Sequence, residues 1–398
     1  MKTNHDSLPK DCQLLLVCAR LFLTQDDHQQ ICQIVSSQID WPLILKLAEQ
    51  FGVSPLLYKH LSDLDLMHKI PDFAMKLLEN AYRRHSISGL QIYGKLNRMA
   101  ELFSTLQIPI ILLKGIYFSK YIYHDIALRP MTDIDFLCKK EDCDRIVNSL
   151  SSIGFKQEGF YHTQFHESVA LLKGSLPPFF DHHGFKVEVH VNIVDGNTYS
   201  KNLMQQVWDQ ALLLNEKENP MLFILSPAFQ LIHLALHLNR HIVSLNESVA
   251  LYWFSDIHEW CQNHMTDQDW DLFIRYVNEF ALSKPIESIL ILLKTFWHTS
   301  IPETICDSNQ DSFDDNVLLN HVFQRQKNYS QYYGKLIKSI FSLNTWQERL
   351  KYSMGLLFPS SHYLRIRYNI NHIRFLWLYR LAHPIFVISR FIKRILYS

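Results

Sequence analysis

The stretch from Ile108 to Cys138, IPIILLKGIYFSKYIYHDIALRPMTDIDFLC, constrains the fold of this chain more than any other. A short apolar run, Ile108 to Leu113, stops at Lys114-Gly115, and an aromatic piece with helical spacing, Ile116 to Tyr123, follows. Asp133-Ile134-Asp135 then runs straight into Phe136-Leu137. Side chains alternate along an extended strand, so two acids one residue apart share a face. Like charges held together on one face are costly to leave uncompensated, and a divalent cation is the usual remedy. A basic residue and a glycine at a strand-to-helix turn suit a phosphate. The pattern predicts a small sheet that carries metal and phosphate chemistry.

The rest of the chain reads as mostly helical. With 398 residues it is long enough for two or three domains. Hydrophobic residues at 47% and charged residues at 20% place it with ordered globular proteins. The formal net charge is zero, which disfavours nucleic acid as a partner. The seven cysteines are odd in number and lack C-x-x-C spacing, which reads as reduced thiols and not as a disulfide framework or zinc site. The first residues, MKTNHDSLPKDCQ, show no apolar signal core, and no apolar run reaches the length of a membrane span. A cytoplasmic protein is the expectation.

Residues 1–107 carry apolar stripes at helical spacing, including Asp11 to Leu23, Leu43 to Phe51 behind an Asp40 N-cap, Val53 to Leu61, and Asp72 to Phe103. Residues 108–195 change character. Ile108 to Leu113 and Ile134 to Cys138 read as strands, and Glu141 to Ile153 as a helix closed by Gly154. Phe165 to Leu172 and Phe185 to Ile193 read as a hairpin around a turn containing Pro177, Pro178 and Gly184. In Lys186-Val187-Glu188-Val189-His190 the alternation puts Glu188 and His190 on one face, where Glu188 adds a third carboxylate to Asp133 and Asp135. Residues 196–361 read as helical again, with Pro227 to Leu245, Leu251 to Asn263, Asp269 to Phe280 and Pro285 to Trp297, then a polar loop from Glu303 to Asp315. Residues 362–398 form a basic, aromatic tail that Pro384 should break into two helical pieces. The fold class expected is α+β, a small mixed sheet flanked by N- and C-terminal helical domains and mainly helical overall.

The segment LLKGIYFSKYIYHDIALRPMTDIDFLC, the helix ending Ile153-Gly154-Phe155 and the strand VEVHV together resemble an uncharacterised nucleotidyltransferase family related to the DNA polymerase β superfamily. Asp40-Trp41, Gly52 to Leu57, His233 to His241, Asp256-Ile257 and Asp269-Trp270 extend the likeness over most of residues 40–300. The resemblance implies a polymerase β-like catalytic core and metal-dependent transfer of a nucleoside monophosphate from a nucleoside triphosphate, with pyrophosphate released. Asp133 and Asp135 match the family's metal ligands, and Glu188 stands where the family usually has Asp. Magnesium or manganese is the implied cofactor. Lys114-Gly115 replaces the broader superfamily's Gly-Ser turn, so Lys114 and backbone N–H groups would hold phosphate, with Gly115 allowing close approach. Arg129 and His190 are further phosphate candidates. The acceptor is left open among small molecule, saccharide, peptide and protein. The alternative is a catalytically inactive nucleotide-binding or scaffold protein of the same fold.

Two further features compete for attention. His233, His237 and His241 share a helical face, but Leu234 stands where a zinc protease has its Glu, so packing or a cleft wall is expected there instead of a metal. The tail is read first as a terminal helix pair packed on the fold. Peripheral contact with a membrane surface, or with RNA or another anionic partner, are the competing readings.

Overall fold

The computed structural model describes residues 8–157, 174–194, 201–215, 219–245, 249–306, 345–358, 364 and 376–396. These residues are mostly helical with a single mixed sheet of seven strands among them, which agrees with the α+β expectation. Five helices precede the sheet: α1 (Lys10–Cys18), α2 (Gln25–Val35), α3 (Trp41–Gln50), α4 (Ser54–Asp63) and α5 (Asp72–Thr105). Asp40 caps α3 as its sequence position foretells, its carboxylate accepting from the Leu43 N–H at 3.0 Å. Helix α1 stops at Cys18, short of the Leu23 expected from spacing. Helix α5, 34 residues long, is the spine of this half and packs on α3 and α4. Its Phe103 ring meets Phe136 of the sheet edge-on at 5.6 Å.

The strands are β1 (Ile110–Leu112), β2 (Asp133–Cys138), β3 (Lys156–Gln157), β4 (Phe179–Phe180), β5 (Lys186–His190), β6 (Leu212–Asn215) and β7 (Asn219–Ile224), in the order β3-β4-β5-β2-β1-β7-β6. Helix α6 (Gly115–Tyr121) follows β1, and α7 (Cys143–Ser152) follows β2 after one 3-10 turn. The antiparallel partner of β5 is Phe179–Phe180, inside the stretch expected to turn. The strand expected at Phe165 to Leu172 lies outside the described residues.

The larger departure comes after residue 200, where only helices were expected. Helix α8 (Lys201–Asp209) is followed by the β6–β7 hairpin, and β7 pairs in parallel with β1, Ile110 opposite Leu222. The runs Leu212-Leu213-Leu214 and Met221 to Ile224 are short and uniformly apolar, a pattern that periodicity alone cannot assign. The sheet settles it, because β1 is buried at every residue and needs a partner on its second edge.

Helices α9 (Pro227–Asn239), α10 (Leu251–Asn263), α11 (Asp267–Glu279) and α12 (Ser283–Trp297) follow, and α9 packs against the other three. A π-helical stretch, Arg240–Leu245, extends α9. Three further helices are α13 (Glu303–Cys306), α14 (Trp346–Leu357) and α15 (Leu376–Leu396). α13 occupies the start of the expected polar loop, and residues 307–315 lie outside the described set. α15 runs through Pro384 without a break, so the proline does not divide the tail as expected. Its fixed φ suits a helix, and α15 absorbs the one lost N–H bond. Buried residues from Leu14 to Ile305 form one continuous cluster. The two helical halves are also tied directly: Leu21 N–H donates to Glu259 at 2.7 Å and Trp297 Nε1 to the Leu16 carbonyl at 3.1 Å. Among the described residues, no helix is long and apolar enough to cross a membrane.

Candidate active site

Strand β1 leaves the sheet at Leu113, whose N–H still donates to the Asp135 carbonyl at 3.1 Å. The next residue, Lys114, turns the chain into α6 with φ +50° and ψ −130°, a conformation that side-chain-bearing residues rarely adopt. Such strain persists only where the surroundings enforce it, and it concentrates at functional sites. Here it aims Lys114 Nζ at Asp135 Oδ1, 2.9 Å away. Gly115 is glycine for a different reason from the one expected. A Cβ there would lie 2.0 Å from Arg129 Nη1 and 2.9 Å from its Cζ, so the guanidinium itself fills the space.

The parallel pairing of β2 with β5 sets Asp133 opposite Lys186, Asp135 opposite Glu188 and Leu137 opposite His190. The alternating face thus brings Asp133, Asp135, Glu188 and His190 together, as the sequence foretold. His190 Nε2 lies 2.9 Å from Asp135 Oδ1 and 3.8 Å from Glu188 Oε2. Lys186 Nζ sits between two acids, 2.6 Å from Asp133 Oδ2 and 2.7 Å from Glu188 Oε1. Asp135 and His190 are buried, and Glu188 is half-buried at the mouth.

The two aspartates are electrostatically unlike. Burial raises the Asp133 carboxyl, and the neighbouring Asp135 charge adds to the rise, with Lys186 only partly opposing it. Burial would raise Asp135 too, but Lys114 and His190 outweigh it and hold that carboxyl well below the usual range. Burial disfavours the Lys186 ammonium, yet Asp133 and Glu188 overcome this and raise its pKa. Two lysines therefore neutralise the acids where a metal would otherwise do so.

The donor set fits a divalent ion. One ligand atom each from Asp135, Glu188 and His190 lie within 4.8 Å of one another. Two carboxylates and an imidazole suit manganese at least as well as magnesium, which prefers an all-oxygen shell. Asp133, on the same face, is held by Lys186.

Arg129, expected at phosphate, is placed apart from this cluster. It is buried and donates to Asp256, Nη2 to Oδ2 at 2.8 Å and Nε to the same oxygen at 3.2 Å. Burial opposes its charge, but Asp256 more than restores it. The Tyr252 ring lies 4.6 Å from its guanidinium and packs in turn on Gly52, where a Cβ would meet Tyr252 at 2.5 Å. Residues that sequence reasoning missed are Lys186 and Tyr252, with Asp256 noticed only within a family likeness. Lys186 had a readable signal, since it shares the alternating face of Glu188 and His190. Asp256 had none, because its partner is 127 residues away.

His233 Nδ1 lies 3.1 Å from the Ile193 carbonyl just beyond β5. His237 and His241 continue the same helical face, and no metal-binding group among the described residues includes any of the three.

A family model described as uncharacterised nucleotidyltransferase matches residues 37–298, more than half of the chain. No curated protein and no solved structure matches it.

Proposed function

The chain belongs to the uncharacterised nucleotidyltransferase family, and from that premise we propose that it moves a nucleoside monophosphate from a nucleoside triphosphate to an acceptor, releasing pyrophosphate. The observation that carries this reading is the convergence of Asp133, Asp135, Glu188 and His190 beside the strained Lys114 turn at one end of the sheet.

In this reading Asp135, Glu188 and His190 would hold a divalent ion, magnesium or manganese, with Asp133 on the same face paired to Lys186. A bound ion of this kind supplies Lewis-acid stabilisation of the charge that builds on the transferring phosphoryl group. Lys114, at the turn into α6, pairs with phosphate oxygens. Glu188, the most open of the acids, faces the acceptor and takes its proton. The acceptor oxygen attacks the α-phosphorus, the bond to the β-phosphate oxygen breaks, and pyrophosphate leaves with that electron pair. Arg129 acts behind the turn as a positioning residue. His190 Nε2, which meets Asp135 in the structure, would instead face the ion and complete the ligand set.

Pyrophosphate release from each of the four nucleoside triphosphates, with magnesium or manganese, tests the proposal. Release by the wild type that disappears in Asp133→Asn and in Asp135→Asn is expected, with both variants folded. Undiminished release in either variant overturns the assignment.

A second reading has its own support. Lys186 bridging Asp133 and Glu188, and the longer acid at position 188, favour a nucleotide-binding protein without turnover. Metal-dependent nucleotide binding with no pyrophosphate release under any acceptor would select it. Peripheral membrane contact by the tail is supported by the exposed Trp377, Leu381, Ile385 and Phe386 of α15. Co-sedimentation with anionic vesicles that survives deletion of residues 362–398 would dismiss that role.

A further inference from the structure

Helix α9 and its π-helical extension end in two imidazoles, His237 and His241, that pack against Trp253 at the start of α10. The ring centroids are 4.6 Å apart for His237 and His241, 5.1 Å for His237 and Trp253, and 4.5 Å for His241 and Trp253. All three residues are half-buried. Together they form a small aromatic shelf that carries no acid.

The Trp253 end of the shelf stands beside the Lys114 turn: the Tyr252 ring next to it in the chain packs on Arg129, whose Nη1 fills the space at Gly115. Burial first, and then the Lys114 ammonium, hold the His237 imidazole well below its ordinary range, with Asp135 acting the other way. Trp253 is fixed from behind, because its neighbour Tyr252 is clamped between Gly52 and Arg129, and the Leu251 N–H donates to the Phe51 carbonyl at 3.0 Å. π-helical turns also concentrate at functional sites, and this one presents His241.

We propose that the shelf of His237, His241 and Trp253 binds the base of the nucleoside triphosphate by stacking. This rests on the nucleotidyl-transfer reading above and adds to it the location and chemistry of the base site. The shelf lies on the Lys114 and Asp135 side, where the triphosphate is bound, and Glu188 on the next strand faces the acceptor. Imidazole and indole rings offer flat π faces, and stacking of this kind tolerates any base.

The test separates base from phosphate. Binding of a non-hydrolysable α,β-methylene nucleoside triphosphate and of inorganic tripolyphosphate, each with manganese, is measured for wild type, Trp253→Ala, Trp253→Phe and His241→Ala. Trp253→Ala should weaken the nucleotide by about tenfold or more, the range of stacking losses. It should leave tripolyphosphate unchanged, and Trp253→Phe should recover most of the loss. Equal loss of both ligands, or no loss of nucleotide in either alanine variant, overturns the shelf. Wild-type protein that binds tripolyphosphate as tightly as nucleotide also overturns it, and leaves the phosphate site standing. If the wild type binds neither ligand, the nucleotidyl-transfer reading falls and the shelf with it. Loss of both ligands in Asp133→Asn, Asp135→Asn supports that reading whatever the shelf does.

Discussion

Gly115→Ala places a methyl carbon where the Arg129 guanidinium sits, 2.0 Å from Nη1. A surface arginine would swing aside at little cost, but this one cannot. It makes three N–H···O contacts with Asp256, at 2.8, 3.2 and 3.4 Å, and a fourth to the Pro130 carbonyl at 3.2 Å. The Tyr252 ring covers its other face. Moving the guanidinium far enough to relieve the clash leaves Asp256, 1% exposed, without its counter-charge. Breaking a buried pair from one side costs about 3–5 kcal/mol. The alanine returns about 0.5–1 kcal/mol through lower unfolded-state entropy, because Gly115 has ordinary helical geometry. The net expectation is a loss of about 2–4 kcal/mol, read as a lowered urea midpoint with unchanged slope. In a background where the pair is removed whole, Arg129→Met with Asp256→Leu, the same Gly115→Ala change should be neutral or slightly stabilising. A cost below about 0.5 kcal/mol in the wild type would refute the reasoning, as would an equal cost in both backgrounds.

Two other predictions concern charge. Burial raises the Glu259 carboxyl to about 7, only partly opposed by the Leu21 N–H it accepts. Since its folded pKa lies above the unfolded value, the native state holds more protons between the two. Stability is therefore intact at acid pH and is lost as pH rises towards 7, by about 3 kcal/mol. Glu259→Gln should flatten that slope when urea midpoints at pH 5 and pH 8 are compared, and parallel slopes in the two proteins would rule it out. Lys186 occupies the space between Asp133 and Glu188, so Lys186→Met should tighten manganese binding by roughly tenfold in calorimetry, the side chain being partly exposed. Unchanged or weaker binding would show that the lysine is not in the ion's way.

Much of the site was legible because it is written in strand periodicity. Asp133 and Asp135, then Glu188 and His190, each share a face by simple alternation, and pairing β2 with β5 needs only the correct register to join them. The Lys114 turn was visible as the end of an apolar run. What could not be read is whatever depends on a distant partner. The β7 strand looks like any short apolar run until β1 claims it, and Arg129 looks like a phosphate ligand until Asp256 does. Gly115 illustrates this best: the reason a Cβ is barred there lies in a side chain that local sequence does not place beside it.

The pairing of β1 with β7 also sets the order in which the protein can become whole during synthesis. As the ribosome delivers the chain, Ile110 to Leu112 emerges long before Leu222 to Ile224, and until then one edge of β1 has no strand to pair with. An open apolar edge is a template for association with other chains. Asp256 emerges later still, so the turn beneath Lys114 is unbraced until α10 has been made. Such long-range parallel pairing is slow to form. The nascent protein must therefore pass through an interval in which its clustered acids exist but their scaffold does not. A chain cut short near residue 195 would remain in that interval, adhesive and without an assembled site.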